Sequence, residues 1–234
     1  MENIPIIYVS FINPAPTGDE ETFQRFINWN TEVYFPLLMK IAGITGLDYY
    51  TIVKRNPQYP STGTIQHYEN IMAYENSLES SEKKAVIEEI NAWNKRGIRE
   101  GVWSAAYELV QSFRPGTISL VNKDTKIDKA PIMHFEAYLM TLQEHEKYNK
   151  WFNEYGGKVF IPLFMKNCGL KGYDLLKYPG LAPSTQAKET EYPPYLSILY
   201  FEDLKAFEHF EGSSEQLSFQ SALRNIFPLG LNYK

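Results

Sequence analysis

Cysteine is nearly absent from this chain of 234 residues: Cys168 stands alone. A single thiol excludes an internal disulfide framework and suits a reducing compartment. Histidine is scarce too, at four residues, and none of the four shows metal-ligand spacing such as H-E-x-x-H. Basic charge is short, with 23 Lys and Arg against 28 Asp and Glu, a formal net charge of −5. A surface that tracks phosphates needs the opposite balance, so nucleic acid is not an expected partner. The opening MENIPIIYVSF carries neither a basic region nor a cleavage site, and its apolar run is too short to span a bilayer. These features predict a cytoplasmic protein with no membrane partner. A phosphate-cradling glycine loop and a G-x-S-x-G elbow are also missing.

Aromatic residues, by contrast, reach 15%, with 17 Tyr and 14 Phe in a chain that is 44% hydrophobic. That load suits a thick aromatic core or an aromatic-lined cavity. The sequence also repeats itself. FPLLMKIAGITGLD (35–48) returns as IPLFMKNCGLKGYD (161–174), with seven of fourteen positions identical at a spacing of 126. At the same spacing PIIYVSF (5–11) lands on PIMHFEA (131–137), Phe26 on Phe152 and Val33 on Val159. NIMAYEN (70–76) resembles LSILYFED (196–203), and YPST (59–62) resembles APST (182–185). The chain therefore reads as a tandem duplication, with units at 1–115 and 128–234. The connection at 116–127 lies in a stretch that carries Pro, Gly and charge.

Each unit resolves into the same elements. A β-branched and aromatic run predicts a first strand, and a capping box opens a helix: Thr17 with Glu20, Thr141 with Glu144. Phe23, Phe26, Ile27, Val33, Tyr34, Leu37 and Leu38 form one helical stripe; Tyr148, Trp151, Phe152, Tyr155, Val159, Leu163 and Phe164 form the other. Pro36 and Pro162 predict a kink or restart, and Gly43 and Gly169 supply the left-handed stop. Second strands are expected at 46–53 and 172–178, and third strands at about 70–75 and 195–201. A helix at 81–96 and a fourth strand at 102–113 complete the first unit. In the second, a helix within 203–226 leaves only LGLNYK for a short final strand. The order β-α-β-β-α-β, twice, predicts an α+β fold of two ferredoxin-like units. Each antiparallel sheet has helices on one face, so the two bare faces are expected to pack against each other.

The motif WNTEVYFPLLMKIAGITG (29–46), echoed by YGGKVFIPLFMKNCGLKG (155–172), resembles that of the dimeric α/β-barrel superfamily and, within it, the EthD-like proteins. The resemblance implies sheets packed face to face as an intramolecular pseudo-dimeric α/β barrel. It also implies monooxygenase-like or EthD-like activity on a small molecule. Where such relatives often carry a histidine, this chain has Tyr34 and, in the second unit, Phe160. A histidine's acid–base role therefore does not transfer, although Tyr34 can still donate a proton or a hydrogen bond. Some barrels resembling chlorite dismutases hold haem through one histidine, but no motif here supports haem, and no cofactor is expected.

Positions where the units differ carry the functional reading. On strand 131–139, Ile132, His134, Glu136 and Tyr138 alternate with Met133, Phe135, Ala137 and Leu139. If the apolar set meets the helices, His134 and Glu136 point between the sheets as a proton-relay pair, or as a plain polar pair. Their counterparts are Tyr8 and Ser10. Tyr8, Tyr50, Tyr74, Trp103, Tyr107 and Tyr200 are the candidate lining of a cavity for a flat aromatic ligand, or simply core. Asp48 and Asp174 shape the strand starts with a backbone or lysine partner, unless they act as bases at two symmetric sites. His67, His145 and His209 are expected to be solvated, and Cys168 to be a small buried residue. Two functions stay open. One is a cofactor-independent enzyme using His134, Glu136 and Tyr34 on a hydrophobic or aromatic small molecule. The other is a non-catalytic small-molecule-binding or stress-response-type barrel. An incomplete last strand would leave an edge through which chains could pair as homo-oligomers.

Overall fold

The computed structural model describes residues 4–14, 20–51, 62–95, 99–113, 132–139, 142–180, 193–226 and 232–233. Two compact units emerge: 1–108 with 179–190, and 109–178 with 191–234. The expected linker at 116–127 lies outside the described residues, as do the capping residues Thr17 and Thr141.

The first unit runs β1 (Ile6–Pro14), α1 (Glu20–Trp29), a π-helical turn (Asn30–Tyr34), α2 (Phe35–Leu38), β2 (Ile44–Thr51), β3 (Thr62–Tyr68), α3 (Ile71–Leu78), α4 (Ser81–Lys95) and β4 (Arg99–Phe113). Its strands lie antiparallel in the order β2-β3-β1-β4, so β2 is an edge. The last residues of β4, 109–113, belong to the second unit. That unit continues with β5 (Ile132–Leu139), α5 (Leu142–Trp151), a second π turn (Phe152–Gly156), α6 (Gly157–Asn167), β6 (Leu170–Lys177), β7 (Tyr195–Phe201), α7 (Leu204–Phe210), α8 (Ser214–Ile226) and β8 (Asn232–Tyr233). Its strands are antiparallel in the order β6-β7-β5-β8, and the final strand is two residues long.

Three expectations need correction. The third strand of the first unit is 62–68, and 71–78 is a helix. The apolar run IMAY suggested a strand, but Asn70 caps it: its side chain accepts from the Ala73 amide at 2.9 Å. Asp203 caps α7 in the same way, accepting from Ala206 at 2.8 Å. Each second helix is therefore two helices, α3 with α4 and α7 with α8. The helical stripes also break. Each π turn inserts a wider turn, which shifts the phase of the helix beyond it. Val33, Tyr155 and Leu163 consequently stand exposed, while Tyr34, Phe160 and Phe164 stay buried. Asn30 Nδ2 and Thr31 Oγ1 donate to the Phe26 and Ile27 carbonyls at the first π turn, each at 3.0 Å. Pro36 comes next, in the first turn of α2, where its missing N–H costs little, whereas α6 runs on through Pro162.

The repeated glycines have a contact as well as a backbone angle to satisfy. Gly43 (φ 89°) and Gly169 (φ 65°) end their helices in the left-handed region. A Cβ on Gly43 would lie 2.6 Å from Ala73 Cβ, and one on Gly169 would lie 2.7 Å from Ala206 Cβ. Each glycine thus lets the chain pass directly under the next helix. The Glu69 amide donates to the Gly43 carbonyl at 3.1 Å, and Glu202 to Gly169 at 3.4 Å.

Tyrosines carry much of the interior. In the first unit Tyr8, Tyr68 and Tyr74 pack together, with Tyr68 edge-on to Tyr74 at 5.3 Å. The second core gathers Tyr148, Phe152, Phe164, Tyr173, Tyr195 and Phe201 between helices and sheet. Burial pushes the Tyr68 phenol up to about 12 from an ordinary 10.0, and burial likewise raises Tyr148 and Tyr195.

Gly169→Ala should lose about 1–2 kcal/mol from the left-handed backbone alone, with the Ala206 overlap on top. Gly212→Ala, at φ 80° with nothing within 4 Å of the added carbon, should lose only the backbone part. Paired denaturant titrations separate the two. For the phenols, an unfolded tyrosine ionises near pH 10 while the folded one still holds its proton. The unfolded state then binds fewer protons, so stability is intact below pH 10 and falls as the pH climbs towards 12. Phenolate absorbance rising together with loss of structure, and not before it, is the expected reading.

Candidate functional site

The helix-covered face of each sheet can be identified from its contacts. In the first unit Tyr8 stacks on Tyr74 of α3 at 6.2 Å, and the Lys83 ammonium of α4 lies 5.2 Å from the Tyr8 ring. In the second, Ile132 packs into the core with the helices, and the His134 ring lies 5.3 Å from Phe207 of α7. Tyr148 of α5, whose phenol is raised first by burial, also feels the Glu136 charge. His134 and Glu136 therefore face the helices, not the opposite side of the sheet, and the expected assignment is reversed. The cause is that Met133 and Phe135 on the other face are half-buried too, so polarity did not mark the open side. His134 Nε2 and Glu136 Oε1 are 3.6 Å apart, an ion-pair separation too long for a hydrogen bond.

Tyr34, the third expected catalytic residue, is 4% exposed and stacks on Trp29 at 5.1 Å within the helix–sheet core. Of the expected cavity lining, Tyr8 and Tyr74 belong to that same helix side. Trp103 lies on β4, and its side chain is outside the described set. Tyr50, Tyr107 and Tyr200 lie on the faces turned away from the helices: Tyr50 opposes Gly63, Tyr107 opposes Ile7, and Tyr200 opposes Gly172. Cys168 is buried, with Ser213 Oγ at 3.8 Å, and its thiol pKa is raised by that burial.

The helix-free face of the first unit carries what the expected set missed. Ile7, Val9, Ile65 and Tyr107 are buried there and make it apolar. Into this surface β2 and β3 bring Asp48 and His67, with Oδ2 and Nε2 2.8 Å apart. The side chains are 23% and 18% exposed, so the pair is neither sealed nor fully solvated. His67 was expected to be solvated; it is a strand residue with a carboxylate partner.

The geometry has a local cause. A β-bulge at Thr45 precedes Gly46, which sits opposite His67, and Asp48 stands two residues further along the same face. With no side chain on Gly46, the imidazole lies across it: a Cβ there would be 3.4 Å from His67 Cδ2. The ring's far nitrogen then reaches Asp48. Thr45 Oγ1 fastens the bulge by donating to the His67 carbonyl at 3.2 Å.

The second unit repeats the device with another ring. A bulge precedes Gly172, which opposes Tyr200, and Asp174 stands two residues later. The Tyr200 hydroxyl donates to Asp174 Oδ2 at 2.8 Å, and Ser112 Oγ donates to Oδ1 at 2.7 Å. Asp174 is 5% exposed and Tyr200 3%. One carboxylate is thus held by two hydroxyls in a closed setting, while its counterpart holds an imidazole in a half-open one. Among the described residues, no group of three or more His, Cys, Asp and Glu is placed to hold a metal ion, and no helix is long and apolar enough to cross a membrane.

No family model and no curated protein matches the chain. Solved structures do. The chain is similar to an anthrone oxidase-like protein at 12% identity, covering 100% of this chain and 88% of that one, with a TM-score of 0.62. It is also similar to a provisionally assigned monooxygenase from Fusobacterium nucleatum (11% identity, 97% and 88% covered, TM-score 0.61). A third, provisionally assigned in the same way, comes from Lactobacillus acidophilus (10%, 93% and 86%, 0.52). At such identities the likeness shows the fold alone, an α+β architecture of antiparallel sheet and helices.

The two carboxylates should respond differently to loss of their partners. Tyr200→Phe leaves a buried carboxylate oxygen short of a donor and costs about 1–3 kcal/mol. His67→Ala, at a half-open pair, costs less. Urea unfolding of both variants checks the order.

Proposed function

We propose that the chain is a cofactor-independent enzyme that removes a proton from a hydrophobic, aromatic small molecule, with His67 as the base. The observation that carries the reading is the 2.8 Å His67–Asp48 pair on an apolar, helix-free sheet face. An ionised carboxylate can only accept, so Asp48 fixes the proton on Nε2 and leaves the Nδ1 lone pair to act as base. When Nδ1 takes a proton, the imidazolium that forms is stabilised by the carboxylate beside it, and the substrate is left as its anion. Ile7, Val9, Ile65 and Tyr107 are buried and make the surroundings of the pair apolar, and the half-buried Tyr50 beside Asp48 is the ring on that face open to an aromatic guest. The similarity to an anthrone oxidase-like protein supports hydroxylated polycyclic aromatics with an acidic ring C–H as the first class to try.

A non-catalytic binding protein is the second reading. It draws on Tyr34 and Phe160, which stand where related motifs carry a histidine and are both buried in core. Hydrogen–deuterium exchange at the acidic ring carbon of anthrone, measured in D₂O, distinguishes the two. The enzyme reading expects the chain to accelerate exchange and His67→Ala to lose roughly 10²–10⁴-fold of that acceleration. Asp48→Asn should lose part of it. Binding of the ring without any acceleration by the native chain would leave the second reading standing.

A further inference from the structure

We infer that Thr45 is a positioning residue for His67, a role that rests on the reading of His67 as the base. The register of β2 on β3 breaks between Ile44 and Gly46, so Thr45 has no partner residue in the ladder. The break comes just before the stretch that carries Asp48. Thr45 is exposed, and its side chain spans the gap: Oγ1 donates to the His67 carbonyl at 3.2 Å. A hydroxyl thus takes over where the ladder is interrupted, and it does so on the residue that bears the ring.

The bulge decides where the carboxylate stands. His67 lies on β3 between Ile7 of β1 and Gly46 of β2, so its backbone is held from both sides. Asp48 belongs to the edge strand, and its distance from the ring depends on how the bulge sits. On one side of the break the Glu69 amide holds the Gly43 carbonyl at 3.1 Å. On the other the imidazole lies across Gly46 and Nε2 meets Asp48 Oδ2 at 2.8 Å. That contact keeps the ring proton on Nε2. When it loosens, the two neutral tautomers become comparable, and only one of them offers an Nδ1 lone pair to a substrate proton.

The second unit keeps the bulge without this tie. Lys171 stands there in place of Thr45, and its Nζ reaches Glu202 Oε2 at 2.8 Å, both side chains half-exposed. Where two hydroxyls enclose the carboxylate, a surface ion pair to a residue beyond Tyr200 replaces the bond to the ring residue's own carbonyl.

Two variants of the full chain test the role. Thr45→Val removes the hydroxyl at nearly constant volume, and Thr45→Ser keeps it. In ¹⁵N spectra of the labelled chain, with His67→Ala used to assign the ring signals, neutral His67 should be a single tautomer with its proton on Nε2. Thr45→Val should mix the two tautomers, and Thr45→Ser should restore the single one. In the anthrone exchange assay Thr45→Val should lower the rate at saturating anthrone roughly 10-fold with KM unchanged, and Thr45→Ser should recover it. A Thr45→Val chain that loses urea stability but keeps the native tautomer and rate has lost only a structural bond, which overturns the inference. Defects that serine does not repair overturn it too. If the native chain does not accelerate exchange, the proposed function falls, and the tautomer measurement alone decides whether Thr45 orients the ring.

Discussion

The constraint on which both units depend is a helix that must stop and hand over to a strand beneath the next helix. Gly43 and Gly169 meet it twice over, by a left-handed φ and by leaving room for Ala73 and Ala206. A side chain at either position would push β2 or β6 away from the helix above. The bulge, the glycine and the aspartate beyond it would then lose their register with the neighbouring strand. The seven residues shared between 35–48 and 161–174 are therefore mostly a construction requirement. They fix where a carboxylate stands, and they leave its chemistry open.

The chemistry is determined by the ring laid across the glycine. The carboxylate two residues on is the same in both units, but its partner is an imidazole in one and a phenol in the other. A phenol has one O–H, and Tyr200 gives it to Asp174. An imidazole has two ring nitrogens, so His67 engages Asp48 through one and keeps the other. Exposure moves in the same direction: Asp174 is closed in by Tyr200 and Ser112, whereas Asp48 and His67 remain partly open. Burying a carboxylate deeply is tolerable when hydroxyls satisfy both oxygens, but such a group is poorly suited to turnover. Duplication with one changed ring is enough to give one closed carboxylate and one half-open one.

Much of this was legible in the sequence. The duplication, the glycine stops, the paired second strands and the short final strand could be read from spacing and composition. The third strand could not, because NIMAYEN (70–76) was matched to LSILYFED (196–203) at a spacing of 126. The connection between the second and third strands is longer in the second unit by seven residues, 177 to 195 against 51 to 62. With that allowance, HYENIMAYE aligns with YFEDLKAFE, the Asn70 and Asp203 caps coincide, and His67 falls on Tyr200. The signal that placed His67 opposite a carboxylate strand was present but displaced by those seven residues. The face of β5 could not be read from polarity at all. Alternation identifies an open side only when one side is wet, and here both sides of the strand are largely covered.

The helix-facing side of the first sheet completes the contrast. There Tyr49, Thr62, Thr64 and Gln66 occupy positions that the second unit fills with Leu175, Tyr195, Ser197 and Leu199. In the second unit one of the two remaining hydroxyls is tied directly, Tyr173 OH to Ser197 Oγ at 2.6 Å. The first unit instead keeps small hydroxyls and an amide set by a π turn, a combination that costs stability unless each polar atom finds a partner. That cost falls under the edge strand bearing Asp48, in the copy whose carboxylate meets the His67 ring. The polar interior and the surface that bears Asp48 and His67 lie on opposite sides of the same two strands. A side chain on β2 cannot be repacked for the core without moving its neighbour on the other face.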